Sequence, residues 1–178
     1  GIYCGGRKEA SPVPDFLEYT QYITFSSDGG ASYFGDLTVS GTGVRATSNN
    51  IRGLSFGGVG AATGTIESTI EYFTIATTGG SSFFGDLTER RYSGATLSSP
   101  TRGINAGGNT NTHYGSPSYS KVKTIDYITF ETRGNAVNFG ELAVAIRANS
   151  GASSTTRGVF AGGYTPTNVN TIEYITIA

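Results

Sequence analysis

The sequence predicts an all-β fold built from repeated four-stranded units, and three observations carry that expectation. Three short motifs recur along the chain in one order. Two of the intervals between them are constant. No stretch sustains a helical period with caps.

The first motif is an apolar strand ending in a glycine pair. It reads Gly1-Ile2-Tyr3-Cys4-Gly5-Gly6 and returns at 53–58, 103–108 and 158–163, the last three copies preceded by Arg52, Arg102 and Arg157. A branched aliphatic residue is second in each copy (Ile2, Leu54, Ile104, Val159), and Cys4, Phe56, Ala106 or Ala161 stands directly before the glycines. Gly-Gly weakens a strand unless another backbone must come close, so Gly57, Gly58, Gly107, Gly108, Gly162 and Gly163 are expected at points of crowding between sheets.

The second motif places an aromatic before a threonine: Tyr22-Ile23-Thr24-Phe25, Tyr72-Phe73-Thr74-Ile75, Tyr127-Ile128-Thr129-Phe130 and Tyr174-Ile175-Thr176-Ile177. Its β-branched and aromatic residues predict strands over 70–75 and 124–130. Ile70 and Tyr72 fall on one face, Phe73 and Ile75 on the other, which predicts a sheet covered on both sides. Glycine-bearing turns follow at Gly29, Gly79 and Gly134. The third motif, Phe34-Gly35-Asp36-Leu37, Phe84-Gly85-Asp86-Leu87 and Phe139-Gly140-Glu141-Leu142, then pairs back antiparallel.

From each Tyr to the next Phe-Gly is 12 residues (22 to 34, 72 to 84, 127 to 139), and from that Phe to the next diglycine is 23 (34 to 57, 84 to 107, 139 to 162). Only the stretch from diglycine to Tyr varies, at 16, 14, 19 and 11 residues. Solvated loops tolerate length changes and packed strands do not, so one surface connection absorbs every insertion. The chain divides as one repeat domain, 1–178, with repeats near 1–52, 53–102, 103–157 and a partial 158–178.

Composition excludes several functions. A net charge of −1 leaves no global positive field for nucleic acid, and one Cys with one His gives neither a disulfide framework nor a zinc site of the usual kind. No apolar run reaches the length of a membrane span, and no cofactor is expected. A copper oxidase needs several His ligands, and a glycosidase needs two carboxylates across a cleft; Glu67 with Glu71, or Glu9 with Asp15, are the acids near variable loops. His113 reads as a solvated loop residue and Cys4 as a small buried hydrophobe. No catalytic residues are assigned, and the chain is read as a non-enzyme.

Arg52, Arg102 and Arg157 share one repeat phase, as do Asp36, Asp86 and Glu141, each acid 16 residues before its Arg. Recurrence in every repeat points to structure, either a ring of ion pairs or backbone hydrogen bonds.

Repeats of about 50 residues with four short strands, and a diglycine strand followed by an aromatic one, resemble the kelch β-propeller family. The Phe-Gly-Asp-Leu segments take the fourth strand, where kelch repeats usually carry a Trp that this chain lacks. The phrasing of 70–88, 157–163 and 171–178 is more closely similar to Gly/Thr-rich kelch-like virion proteins of tailed bacteriophages. That resemblance implies a β-propeller of four-stranded blades, about three and a half of them present, within a larger ring. The chain then belongs to a longer polypeptide; completion of the ring by other copies, or an open stack of repeats, are the alternatives.

The resemblance further implies a virion surface or tail-fibre component, structural or adhesive. Its partners would be other virion proteins, further copies of itself, and a host surface glycan. In a propeller the variable connections at 7–16, 59–68, 109–123 and 164–170 emerge on one face. Amides, hydroxyls and tyrosines there suit sugar recognition, which singles out Asn109, Asn111, His113, Tyr114, Tyr119, Lys121 and Tyr164. The competing classes are a cellular or secreted protein-binding propeller and a carbohydrate-active enzyme.

Overall fold

The computed structural model describes residues 1–8, 15–61, 64–111, 113–114 and 120–177. These form strands and turns throughout, with no helix. The first sheet runs β1 (Ile2–Lys8), β2 (Asp15–Tyr22), β3 (Ser32–Asp36). In the second, β4 (Gly41–Thr42) and β5 (Arg45–Ser48) both pair with β6 (Arg52–Gly60), followed by β7 (Ile66–Thr74) and β8 (Ser82–Asp86). The third holds β9 (Ala95–Ser98) and β10 (Arg102–Ala106); a side hairpin of β11 (Asn109–Thr110) and β12 (Ser120–Lys121) precedes its β13 (Thr124–Thr129) and β14 (Val137–Glu141). The fourth has β15 (Ser150–Ser153) and β16 (Arg157–Ala161), then the hairpin β17 (Tyr164–Thr165) and β18 (Thr167–Asn168), then β19 (Ile172–Thr176). Every pairing is antiparallel.

The expected strand order therefore holds. Among the described residues, the first sheet lacks an inner strand and the fourth an outer one. A gap of about 380 Å³, lined by Ile2, Cys4, Leu54 and Phe73, lies beside the open edge of β1.

The sheets fan outward from their inner strands. β5 lies against β9 and β9 against β15, while β3, β8 and β14 stand farther apart. Short side chains make the inner approach possible, and their hydroxyls bind it. Ser98 Oγ donates to the Ser48 carbonyl at 2.8 Å and Ser153 Oγ to the Ser98 carbonyl at 2.6 Å, one step per sheet. At the opposite end of the same strands, Ser93 N donates to Gly43 O at 3.1 Å and Ala148 N to Ser93 O at 2.8 Å.

These three residues share one repeat phase and a left-handed backbone, with φ of 68° at Gly43, 57° at Ser93 and 55° at Ala148. A Cβ is disfavoured there. Ala148→Gly is expected to raise the unfolding free energy by about 1 kcal/mol and Gly43→Ala to lower it. Urea midpoints measure both; no change in either would remove the strain from the account.

Large aromatics fill the widening outer gaps. The constant 12-residue interval brings Tyr22 onto Phe34, Tyr72 onto Phe84 and Tyr127 onto Phe139, each edge-to-face at 6.0–6.1 Å. Behind each pair lies a core shared by two sheets. Leu54, Phe56, Ile70 and Phe84 of the second meet Ile128 and Phe130 of the third, and Ile104 and Ile125 of the third meet Phe160 and Ile177 of the fourth. Both faces of β7 are covered, as the doubled apolar pattern predicts: Ile70 joins this core while Phe73 packs with Phe34 of the first sheet. Burying each such side chain stabilises by about 1.5–3 kcal/mol.

The diglycines sit where crowding was expected. Gly57 and Gly58 have φ of 54° and 111°, and Gly107 and Gly108 have 68° and 112°. They form a bulge that brings the strand against the connection entering the next sheet. Gly58 N donates to Arg91 O at 3.0 Å and Gly108 N to Ile146 O at 2.7 Å; a Cβ on Gly57 would stand 2.2 Å from Arg91 O. Gly162 and Gly163 repeat the conformation, with φ of 64° and 113°.

Candidate functional site

Antiparallel order sends the connections between second and third strands to the same end of every sheet as those that enter the next sheet. The two kinds of connection pair there, once per repeat: Thr42 with Val59, Tyr92 with Asn109, and Arg147 with Tyr164. The residue just after each diglycine is thus held by the scaffold and is not a loop tip. Val59 is buried with Ile66 and Tyr92 under the loops. Asn109 is fully buried as well, exchanging backbone bonds with Tyr92 at 2.8 and 3.0 Å, which corrects its expected place as an exposed contact. Neither of its side-chain amide atoms meets a partner among the described residues.

The other predicted contacts divide into two groups on this end. His113 is exposed and bridges Thr65 of the neighbouring sheet, and Tyr114 N donates to Gly64 O at 2.8 Å. The half-exposed Tyr114 ring stands edge-on to Tyr92 at 5.6 Å. Asn111 is half-buried beside them. In the second group Lys121 Nζ lies 5.5 Å, and the Arg147 guanidinium 4.8 Å, from the centre of the Tyr164 ring. Tyr164 therefore holds two cations and presents positive charge outward, rather than offering a bare stacking face. Tyr119 and Glu9 lie outside the described residues.

The arginine column does not pair with its expected acids. Arg52, Arg102 and Arg157 stack on Tyr72, Tyr127 and Tyr174 of their own sheets at 5.3, 4.7 and 5.1 Å. Arg52 also donates to the carbonyls of Phe130 and Glu131 in the next sheet, so the backbone alternative describes it. Asp36 accepts from Tyr33, Asp86 from Ser68, and Glu141 pairs with Lys123. Each Arg opens its strand at one end of the sheets while each acid closes a strand at the other, which separates the two columns.

A different acid column joins the sheets. Glu71 accepts from Thr38 N at 2.9 Å, Asp126 from Thr88 N at 3.1 Å, and Glu173 from Ala143 N at 2.9 Å. Each stands directly before the motif Tyr and caps the residue that follows Phe-Gly-Asp/Glu-Leu in the preceding sheet. Glu71 is thereby committed to structure, away from a catalytic pair with Glu67. Asp126 also binds Arg91, and both are fully buried; burial pushes the arginine's pKa down, partly offset by Asp126 and Glu89.

Cys4 packs against Phe34, Leu37 and Phe73, and burial, with Glu71 second, pushes its thiol up to about 11. It is a thiol near neutrality and a poor nucleophile. Among the described residues no group of three or more His, Cys, Asp or Glu gathers as metal ligands, and no helix is long and apolar enough to cross a membrane.

No family model matches the chain, and no curated protein matches it. The fold is shared with YjhT. That solved structure superposes with a TM-score of 0.70 at 10% identity, covering 91% of this chain and 55% of that one. The chain thus spans about half the length of the solved protein, and the likeness concerns the fold alone.

Proposed function

We propose that this chain is a segment of a kelch-like β-propeller in a bacteriophage virion, a tail-fibre or surface protein that acts by adhesion without catalysis. Its loop-bearing end is the adhesive face, and a host surface glycan is the ligand. One observation carries the reading: every insertion in the repeat falls at the end that carries both the His113–Tyr114 group and the Lys121–Tyr164 group over a constant scaffold. A scaffold that conserves its strands while diversifying one rim is how repeat proteins build binding surfaces. The resemblance to kelch-like virion proteins supplies the particle and the location.

Tyr114 provides the apolar platform against sugar C–H faces, and the Lys121–Arg147 pair on Tyr164 provides donors to sugar oxygens. Binding to host polysaccharide is expected to persist at high salt and to weaken about tenfold in the Tyr114→Ala, Lys121→Ala double variant. Unchanged affinity in that variant, release of reducing ends, or absence of the polypeptide from purified virions would each overturn the proposal.

A further inference from the structure

We propose that the hollow walled by the inner strands β5, β9 and β15, at the end where Gly43, Ser93 and Ala148 stand, binds a small hydroxylated carboxylate. The hollow measures about 420 Å³, and Arg45, Gly94, Thr96, Asn149 and Ser150 contribute to its lining. That volume lies in the usual range for small-molecule sites. β5 packs on β9 and β9 on β15, so no further repeat can come between these strands. The site is therefore independent of where the sequence begins or ends, and it uses none of the loop residues assigned to adhesion.

Its polar residues break the repeat. Strand register sets Arg45, Ala95 and Ser150 at one phase, each opposite the residue before a diglycine, and Val44, Gly94 and Asn149 at the phase before it. A column with a structural task keeps its residue type, as Ser48, Ser98 and Ser153 do at the far end of the same strands. Here a guanidinium stands in one sheet and an amide in another, and both line one hollow.

Both groups are under-satisfied for their burial. Arg45 is half-buried; its Nε donates to Gly94 O at 2.7 Å and its Nη1 to Val44 O at 3.3 Å, and among the described residues no carboxylate pairs with it. Burial pushes its pKa down without discharging it, so a carboxylate accepting from the free side of the fork relieves the charge. Arg91, by contrast, has Asp126. Asn149 is 6% exposed, and neither its amide oxygen nor its amide nitrogen meets a partner among the described residues. An amide left so is destabilising, and Val44 shows that an apolar side chain fits this phase. The amide offers one donor and one acceptor, the complement of a hydroxyl. Thr96 Oγ1, which donates to Ala46 O at 2.7 Å, keeps acceptor capacity for another.

The test is calorimetric titration of the purified chain with gluconate and with sorbitol, the same carbon chain carrying an alcohol in place of the carboxylate. Gluconate is expected to bind about tenfold more tightly. Arg45→Gln is expected to erase that preference, and Arg45→Lys, which keeps the charge and loses the fork, to retain part of it. Asn149→Val is expected to bind gluconate about fivefold more weakly while its urea midpoint rises, because an unpartnered buried amide is gone. Weaker binding in a more stable variant separates loss of the site from loss of the fold. No gluconate binding, equal affinity for sorbitol, full affinity in Arg45→Gln or Asn149→Val, or a lower urea midpoint in Asn149→Val would overturn the inference.

Discussion

Asp126→Ala is expected to lower the free energy of unfolding by about 3–5 kcal/mol, the usual cost of stranding a buried charge. Asp126 accepts from the backbone and hydroxyl of Thr88 at 3.1 and 2.7 Å and binds the Arg91 guanidinium. With the carboxylate gone, Arg91 keeps one carbonyl, Thr124 O at 3.0 Å, and the more distant Glu89 carboxylate at 3.8 Å. Its position is enforced by its own main chain, which is clamped to the bulge at Gly58, so the guanidinium cannot swing out to water without breaking that junction. Replacing Arg91 and Asp126 together with leucine removes both charges and is expected to recover most of the loss. Urea unfolding followed by tyrosine fluorescence reads both effects, the chain having no Trp. A loss below about 1 kcal/mol, or a double variant as weak as the single one, would mean that the pair is solvated.

The contrast between this pair and the arginine column shows which parts of the fold the sequence makes legible. Fixed intervals expose contacts within one sheet or across a constant connection: Tyr72 on Phe84, or the diglycine beside the connection that follows it. Contacts that span the variable loop are hidden. Glu71 and Thr38, Asp126 and Thr88, and Glu173 and Ala143 lie 33, 38 and 30 residues apart, because an insertion falls between the partners each time. The signal was nonetheless present, as an acid directly before the motif Tyr in three repeats with Gln21 in the fourth.

Equal spacing misleads in the opposite direction. Asp36 and Arg52 keep their 16-residue interval in every repeat, yet they mark opposite ends of strands that run the same way. At the site, the burial of Asn109 follows from its pairing with Tyr92, a residue of the connection entering its own sheet, and no local pattern in 109–123 announces that partner. The loop end was legible because insertions collect there. Which of its side chains face water was not, since loops fold against other loops.

Gly85→Ala is expected to destabilise by about 3 kcal/mol or more, although Gly85 has an ordinary backbone conformation and the added group is a single methyl. A Cβ there would stand 2.1 Å from Gly134 O and 2.8 Å from Asn135 N, both in the turn of the next sheet. Those atoms are main chain and are pinned in place: Gly134 N donates to Phe84 O at 3.0 Å and Ala136 N to Asp86 O at 2.8 Å. The methyl must therefore separate the outer edge of one sheet from the turn that seals it, losing about 0.5–1.5 kcal/mol for each hydrogen bond broken. Gly35 faces Gly79 O at the same 2.1 Å, so Gly35→Ala should cost a similar amount. Gly140 meets no atom within 4 Å, leaving only the cost of its φ of 153°, and Gly30, with open space and no such φ, should accept alanine within about 0.5 kcal/mol. Chemical denaturation of the four variants ranks them, and a Gly85→Ala chain as stable as Gly30→Ala would show that the sheets are not held edge to turn.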